Sequence, residues 1–146
     1  MSDTTKTSPK WSDITVGDAL PVFDLPLTAS VIVAGAIASR DFMPVHHDKD
    51  YANAQGAPDI FMNILTTNGY VSRYITDWAG PEAMIEKIAI RLGVPALPGA
   101  TMRFTGSVAH TEQTGSFGRI EITMRGTTNI GDHVTGSVVL TLPIDR

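Results

Sequence analysis

Asp41 and His46 are the two residues of this chain whose types and spacing best fit acid–base chemistry. They lie five positions apart, and Pro44 stands between them, which fixes its own φ and disfavours helix at Met43. A bent loop is therefore predicted, and such a bend can direct a carboxylate and an imidazole into one cleft. Both groups can take up and release protons, as general acid–base catalysis requires. An Asp and a His at this spacing also occur by chance, so the pair alone leaves a structural role open.

A metal site is the other chemistry that this loop suggests, because His47 follows His46 and two aspartates come next, Asp48 and Asp50. Adjacent side chains on a loop point apart, and no two histidines have the spacing that one helix face requires. We therefore predict no metal here. Instead, Asp48 is expected to cap the next helical turn, with His47 facing solvent.

Length and composition limit the class of protein. The 146 residues suit one domain, placed at 13–146, behind a leader over residues 1–12 that we expect to be disordered. The absence of cysteine excludes disulfides, thiolate metal ligands and a cysteine nucleophile. A net charge of −4 with scattered Lys and Arg argues against nucleic acid as a partner, and no apolar run has the roughly 18 residues of a membrane span. Without a signal peptide's apolar segment, a cytoplasmic location is expected.

The strongest helix signal runs from Ile60 to Trp78, where apolar residues recur on one helical face until Gly80 and Pro81 end the pattern. Its first half also carries amides and hydroxyls close to the apolar face: Asn63, Thr66, Thr67 and Asn68. These polar residues form either a solvated back face or the lining of a ligand tunnel or interface. Upstream, the two prolines within 20–27 indicate an extended edge segment, and a short apolar helix over 31–38 leads into the Asp41 loop.

From residue 85 onward the apolar period changes to two. Alternating runs at 88–92, 102–108, 120–124 and 134–142 are separated by turn signals, which predicts a meander of antiparallel strands. The apolar face of such a sheet must be covered, and the helix from Ile60 is the only predicted element long enough to cover it. The fold class is therefore α+β. The other two histidines, His110 and His133, are expected to be exposed at strand ends.

The Asp41 loop also matches a family signature. The run Asp41-x-x-Pro44-Val45-His46-x-Asp48-x-x-x-Ala52 resembles that of the MaoC-like, R-specific enoyl-CoA hydratases, Gly-Asp-x-Asn-Pro-aliphatic-His followed by an alanine. Nearly the whole chain after the leader is similar to the small MaoC-like subunit of the actinobacterial steroid side-chain hydratases. The segments that carry this similarity include Asp59-Ile60-Phe61, Asn63-Ile64-Leu65-Thr66, Arg91-Leu92-Gly93-Val94-Pro95 and Gly131-Asp132-His133-Val134.

This resemblance implies a hotdog fold, in which a curled antiparallel sheet wraps a long central helix. It implies hydration of an α,β-unsaturated acyl-CoA, with a bulky steroid side-chain substrate, and makes Asp41 the base and His46 the partner that orients water. Amides at the start of the central helix would stabilise the thioester oxygen. The substrate-binding residues that follow are Arg40, Ile60, Phe61, Met62 and Asn63. Coenzyme A enters as part of the substrate, with no separate cofactor. The implied partner is a second MaoC-like hotdog chain, or a second copy when the chain is alone.

The chain departs from the wider family at three places. Arg40 stands where the family has glycine, and Met43 where it has asparagine, although the small-subunit type shares both changes. The family also has a His-Gly pair at the start of the central helix, where this chain reads Ile60-Phe61-Met62-Asn63, so the amide that meets the thioester is not identified. These departures leave a non-catalytic subunit that binds acyl-CoA or stabilises a partner as the alternative. A thioesterase is the weakest candidate, because the predicted helix has no carboxylate over 60–76.

Overall fold

The computed structural model describes residues 7–144, with the helices mostly early in the chain and the strands late. The α-helices of this part are α1 (Ala29–Ala38), α2 (Lys49–Ala54) and α3 (Ile64–Ala79), and short 3-10 turns lie at Trp11–Asp13 and Pro44–His46. The strands are β1 (Phe23–Pro26), β2 (Met84–Leu92), β3 (Thr101–Thr114), β4 (Phe117–Thr128) and β5 (Gly131–Pro143).

The central helix α3 begins at Ile64, and the prediction that it starts at Ile60 was wrong. Asn63 is extended and caps the helix, because its side-chain oxygen accepts the amide hydrogen of Thr66 at 3.0 Å. The residues before it bond outside the helix, and the amide of Met62 donates to the carbonyl of Ala96 at 3.0 Å. An apolar run and a helix face look alike over four residues, so periodicity alone did not locate this boundary.

The strands form one antiparallel sheet in the order β1-β3-β4-β5-β2. The predicted meander is correct for β3, β4 and β5, and the predicted edge segment is β1, which pairs with β3. The meander prediction is wrong for β2, which lies at the other edge of the sheet and pairs with β5. The amides of Gly93 and Val94 donate to the carbonyls of His133 and Asp132, which fixes the end of β2 at the start of β5. The connection over 93–100 then returns the chain to β3.

The core lies between α3 and one face of the sheet. Val71 and Ile75 of α3 are fully buried, as are Phe104, Ile122 and Leu140 of the sheet. Burying side chains of this size stabilises a fold by roughly 1.5–3 kcal/mol each. The observed α+β plan is thus the predicted one, with α3 as the covering element. Within the described residues, no helix is both long and apolar enough to cross a membrane.

Residues 7–12 differ from the disordered leader predicted over 1–12. The hydroxyl oxygen of Ser8 accepts the amide hydrogen of Glu82 at 3.0 Å, and Trp11 packs against the core. The Trp11 ring lies over Gly118, where the strand has no side chain to hold it away. Burial of this aromatic ring orders a polar segment whose composition alone does not predict order. Residues 1–6 lie outside the described part of the chain.

The contact between α1 and α3 depends on a glycine. A Cβ atom at Gly35 would overlap the side chain of Thr66, whereas Gly69 in α3 has nothing within 4 Å of the same position. We expect Gly35→Ala to lower the free energy of unfolding by about 1–3 kcal/mol, because the added methyl group overpacks this contact. Gly69→Ala is the matched control, and its higher helix propensity should raise stability by roughly 0.5–1 kcal/mol. Urea unfolding measures both changes, and a Gly35→Ala protein as stable as the wild type would contradict the close packing.

Candidate active site

The loop that carries Asp41 takes its shape from the end of α1. Arg40 adopts a left-handed conformation with φ of 58°, and the amide of Asp41 donates back to the carbonyl of Ala36 at 2.9 Å. This turn ends the helix and directs the Asp41 carboxylate towards α3. Glycine adopts a left-handed conformation without strain, which gives a physical reason for the glycine that the wider family has at the Arg40 position.

His46 is buried, and each of its ring nitrogens faces an oxygen atom. Pro44 opens the 3-10 turn that directs the imidazole inward and leaves 6% of the residue exposed. Its Nδ1 lies 2.7 Å from the carbonyl oxygen of Phe61. A carbonyl oxygen only accepts, so Nδ1 carries a hydrogen, and Nε2 keeps its lone pair in the neutral ring. That Nε2 faces Asp41, with 3.3 Å between it and Oδ2.

Asn63 holds the Asp41 carboxylate in place. Its Nδ2 donates to Oδ2 of Asp41 at 2.9 Å and to the hydroxyl oxygen of Ser39 at 2.8 Å. The Asn63 hydrogen bond is the largest cause of a lowered pKa for Asp41, and it outweighs the opposing effect of burial. The amide of Met43 lowers that pKa further. Asp41 is therefore a carboxylate at neutral pH and able to accept a proton.

Together, Asp41 and His46 present two hydrogen-bond acceptors to the same space, the carboxylate Oδ2 and the imidazole Nε2. A water molecule has two hydrogens to donate, so one water can bridge these acceptors and direct an oxygen lone pair away from them. Transfer of one of its protons to the pair would leave a nucleophilic oxygen at that point. The arrangement is thus suited to adding water to an electrophile.

The pair opens onto a cleft of about 370 Å³. Ligand pockets typically enclose about 300–1,000 Å³, so this cleft can hold the reacting part of a ligand but not a whole acyl-CoA. Its walls come from the Asp41 loop, the start of α3, the end of β2 and the start of β5. The lining residues are Asp41, His46, Phe61, Met62, Asn63, Ile64, Leu92, Gly93, Val94, Pro95 and His133.

The first turn of α3 begins at this cleft, where Ile64 is part of the lining, while Leu65 lines the neighbouring groove between α1 and α3. The Thr66 amide is bound by the Asn63 side chain, but within residues 7–144 no acceptor is placed for the amide hydrogens of Ile64 and Leu65. The first amides of a helix lack intrahelical partners, and the helix dipole favours negative charge at this end. These two amides are therefore suited to stabilise an oxygen on which charge develops.

The predicted substrate-binding residues occupy different places around the cleft. Phe61, Met62 and Asn63 line it, although the Asn63 side chain is directed at Asp41. Ile60 lies in the core and is absent from the lining. Arg40 is exposed beside Asp41 and also outside the lining. The structure therefore brings three of the five predicted residues to the cleft.

The polar residues early in α3 do not form a solvated face. Asn63, Thr66 and Thr67 are all buried, and the hydroxyl of Thr67 lies 2.8 Å from Nε2 of His133. The solvated interpretation was wrong for these three residues, because all three side chains lie inside the protein. Asn63 and Thr67 have polar partners there, whereas the Thr66 hydroxyl is buried without a partner among the described residues. By contrast, His47 is exposed, and Asp48 caps α2 by accepting the amide hydrogen of Tyr51, as predicted.

His133 is the site residue that the sequence analysis missed. We expected it to be exposed, but only 2% of its surface is accessible and it lines the cleft. The pairing of β4 with β5 shifts register between Gly126 and Thr127, so His133 and Val134 are both buried although they are adjacent. Simple alternation cannot reveal an inward-facing residue next to such a shift. His110, in contrast, is exposed as expected.

Comparison with known proteins gives a relative that spans most of the chain. No family model matches the sequence. The 3-oxo-4,17-pregnadiene-20-carboxyl-CoA hydratase beta subunit of Mycobacterium tuberculosis (strain ATCC 25618 / H37Rv) is 47% identical over 127 residues, which cover 87% of this chain and 95% of that protein.

Solved structures share the same fold. A chain in the crystal structure of the ChsH1-ChsH2 complex from M. tuberculosis has a TM-score of 0.81 at 46% identity, over 88% of this chain and 98% of that one. The unliganded R-hydratase PhaJ1 from Pseudomonas aeruginosa has a TM-score of 0.84 at 18% identity, over 94% of this chain and 88% of that one. The (R)-hydratase from A. caviae involved in PHA biosynthesis has a TM-score of 0.80 at 20% identity, over 90% of this chain and 98% of that one. The predicted hotdog fold is confirmed.

Proposed function

The chain belongs to the MaoC-like hydratase family that includes this mycobacterial beta subunit, and we propose that it hydrates an α,β-unsaturated acyl-CoA at Asp41 and His46. The observation that carries the proposal is the placement of a carboxylate Oδ2 and an imidazole Nε2 3.3 Å apart in the lining of one cleft. Coenzyme A belongs to the substrate, and the proposal requires no separate cofactor. A cytoplasmic location remains part of the proposal.

In the proposed reaction, Asp41 and His46 hold the attacking water. Water oxygen bonds to the β-carbon as one of its protons passes to the pair, and electron density moves to the thioester oxygen. The free amides of Ile64 and Leu65 stabilise that oxygen. The pair then returns a proton to the α-carbon, which restores the carbonyl and regenerates the base. Both new bonds form on the face that the pair occupies, so the addition is syn.

The non-catalytic alternative relied on Arg40 and Met43, where the chain departs from the wider family. Neither change disturbs the loop. Arg40 adopts the left-handed conformation that the turn requires, and Met43 contacts Asp41 through its backbone amide, which any residue except proline has. The thioesterase gains no support either, because the carboxylate of α3 is Asp77 in its last turn, away from the cleft lining.

We also propose that the working enzyme pairs this chain with a second, different hotdog chain. The cleft is too small for an entire acyl-CoA, and β2 is an edge strand with backbone groups free to pair. Exposed apolar residues lie at the cleft, among them Ile64 and Leu92. The 46% identical chain was crystallised as a complex of two named proteins. A homodimer is the simpler symmetric outcome when the chain is produced alone.

A bulky, apolar acyl group is the substrate that we propose. A second and mostly apolar groove of about 330 Å³ begins at Ser39, next to the catalytic loop, and runs between α1 and α3. Two small lining residues, Ala38 and Gly69, leave this groove open. The relative's name specifies a pregnadiene carboxyl-CoA, which is a steroid. Burying the rings of such a substrate would contribute about 25 cal/mol per Å² of apolar area.

The expected result is that a steroidal enoyl-CoA is hydrated with a higher kcat/KM than crotonyl-CoA, because a short chain leaves the groove unfilled. Loss of enoyl absorbance measures both rates, with the chain alone and co-purified with MaoC-like chains encoded nearby. A higher kcat/KM for crotonyl-CoA in both preparations would contradict the bulky substrate. Absence of hydration with every enoyl-CoA would contradict the function itself.

A further inference from the structure

His133 is a buried titratable residue for which the proposed reaction has no role. Its Nδ1 lies 2.7 Å from the carbonyl oxygen of Val94, and its Nε2 lies 2.8 Å from the hydroxyl of Thr67. The side chain therefore connects the wall of the cleft formed by residues 93–95 with the first turns of α3. Residues 93–95 and the start of α3 both line the cleft that also contains Asp41 and His46.

The direction of each hydrogen bond follows from chemistry. The carbonyl of Val94 only accepts, so Nδ1 of His133 carries a hydrogen. Burial lowers the pKa of His133, against the smaller opposing effect of the Val94 hydrogen bond, so the ring is neutral and Nε2 is an acceptor. The hydroxyl of Thr67 then donates to Nε2. The carbonyl of Asn63 competes weakly for this hydrogen, because it lies 3.2 Å away and already accepts the Thr67 amide.

The hydrogen bonds of His133 hold the same helix turn that carries the groups used in the proposed reaction. Thr67 is one turn beyond Asn63, the helix cap whose side chain holds Asp41. The amides of Ile64 and Leu65 lie in the same turn. A displacement of about 1 Å in such donors can cost about a hundredfold in rate, so the anchoring of this turn matters for catalysis.

We propose that Thr67 and His133 are positioning residues, which fix the first turn of α3 against the wall formed by residues 93–95. The amides of this first turn then meet the thioester oxygen. This inference rests on the proposed function. Neither residue touches a reacting atom, and both act through the placement of Ile64 and Leu65. The contribution is made in the transition state, since charge develops on the thioester oxygen only there.

Four substitutions test the Thr67–His133 hydrogen bond and the His133–Val94 hydrogen bond separately. Thr67→Val keeps the shape and removes the hydroxyl, whereas Thr67→Ser keeps the hydroxyl and is the matched control. His133→Asn can keep the hydrogen bond to the Val94 carbonyl but loses the hydrogen bond to Thr67. His133→Gln can keep the hydrogen bond to Thr67 but loses the hydrogen bond to Val94. We expect Thr67→Val and both His133 variants to lower kcat by about tenfold or more with KM nearly unchanged, and Thr67→Ser to stay within about threefold of the wild type.

Two further measurements exclude a merely structural role. Assays run well below each variant's Tm, with the folded fraction measured by circular dichroism, remove the effect of lost stability. In NMR spectra of Thr67→Val, the amide signals of Ile64 and Leu65 should shift, whereas those of the distant turn at Thr114 and Phe117 should not. Wild-type kcat in Thr67→Val, or unshifted Ile64 and Leu65 signals, would overturn the proposal.

The wild-type protein supplies a test that is independent of activity. Nitrogen-15 shifts of His133 in the full chain should show the tautomer with hydrogen on Nδ1 and an accepting Nε2. A hydrogen on Nε2 instead would overturn the inference even if no variant can be purified. If the wild type hydrates no enoyl-CoA, the proposed function fails, and the tautomer still decides whether this connection exists.

Discussion

Asp41→Asn and His46→Ala are each expected to slow hydration of a suitable enoyl-CoA by at least about a hundredfold while the fold survives. Asp41→Asn keeps the shape of the side chain but removes the negative charge that accepts the proton. His46→Ala removes the second acceptor for the bridging water. The enoyl absorbance assay measures both variants, and circular dichroism checks that the fold is retained.

In the proposed reaction the two residues act on one water molecule, so the effects of their substitutions should not add. We expect the double variant to be about as slow as the slower single variant, as is general for residues that work as a unit. His47→Ala is the matched control, because His47 is adjacent in sequence but exposed and outside the cleft. Its rate should match the wild type. A rate near wild type in Asp41→Asn or in His46→Ala would rule out the assignment of the pair.

The second large effect concerns the pH dependence of activity and depends on Asn63. The hydrogen bond from Asn63 is the main cause of the lowered pKa of Asp41, which must be ionised to act as a base. Weakening this bond raises the pKa of Asp41, so activity is lost at higher pH than in the wild type as the solution is acidified. Asn63→Asp should have the largest effect, because it replaces a donor by a second negative charge next to Asp41.

Asn63→Ser separates this effect from helix capping. Serine and aspartate are both good helix caps, so neither variant should lose the cap of α3, and serine adds no charge beside Asp41. The acid limb of kcat/KM against pH should therefore move upward in both variants, and further in Asn63→Asp. Asn63→Ala should in addition lose about 1 kcal/mol of stability with the cap. An acid limb that stays in place in Asn63→Asp would contradict the role of Asn63.

The bent loop that holds Asp41 and His46 could be predicted from the sequence because its information is local. Pro44 and the short spacing between Asp41 and His46 were sufficient to predict a bend, and Asp48 was a recognisable helix cap. The Asn63 contact with Asp41 was not predictable, because it joins residues 22 positions apart through the tertiary fold. Its amide could be placed near the apolar face of the helix, but its partner could not be named.

The strand order and the burial of His133 could not be predicted either, because both depend on how distant strands pair. Alternation identified β2 as a strand but carries no information on its neighbour, and the pairing with β5 depends on backbone bonds at Gly93 and Val94. The register shift in the β4–β5 pair then turned His133 inward. Such irregularities change which face a residue occupies without changing its sequence pattern.

The measurement that tests the central claim most directly uses the co-purified assembly. This chain, as wild type or as Asp41→Asn, is produced with its MaoC-like partner, the mass of each complex is determined at micromolar concentration, and hydration of a steroidal enoyl-CoA is followed. We expect complexes of equal mass, with hydration slowed at least about a hundredfold when only this chain carries the substitution. Equal rates in the two complexes would show that the reaction takes place elsewhere and would contradict the assignment of Asp41 as the base.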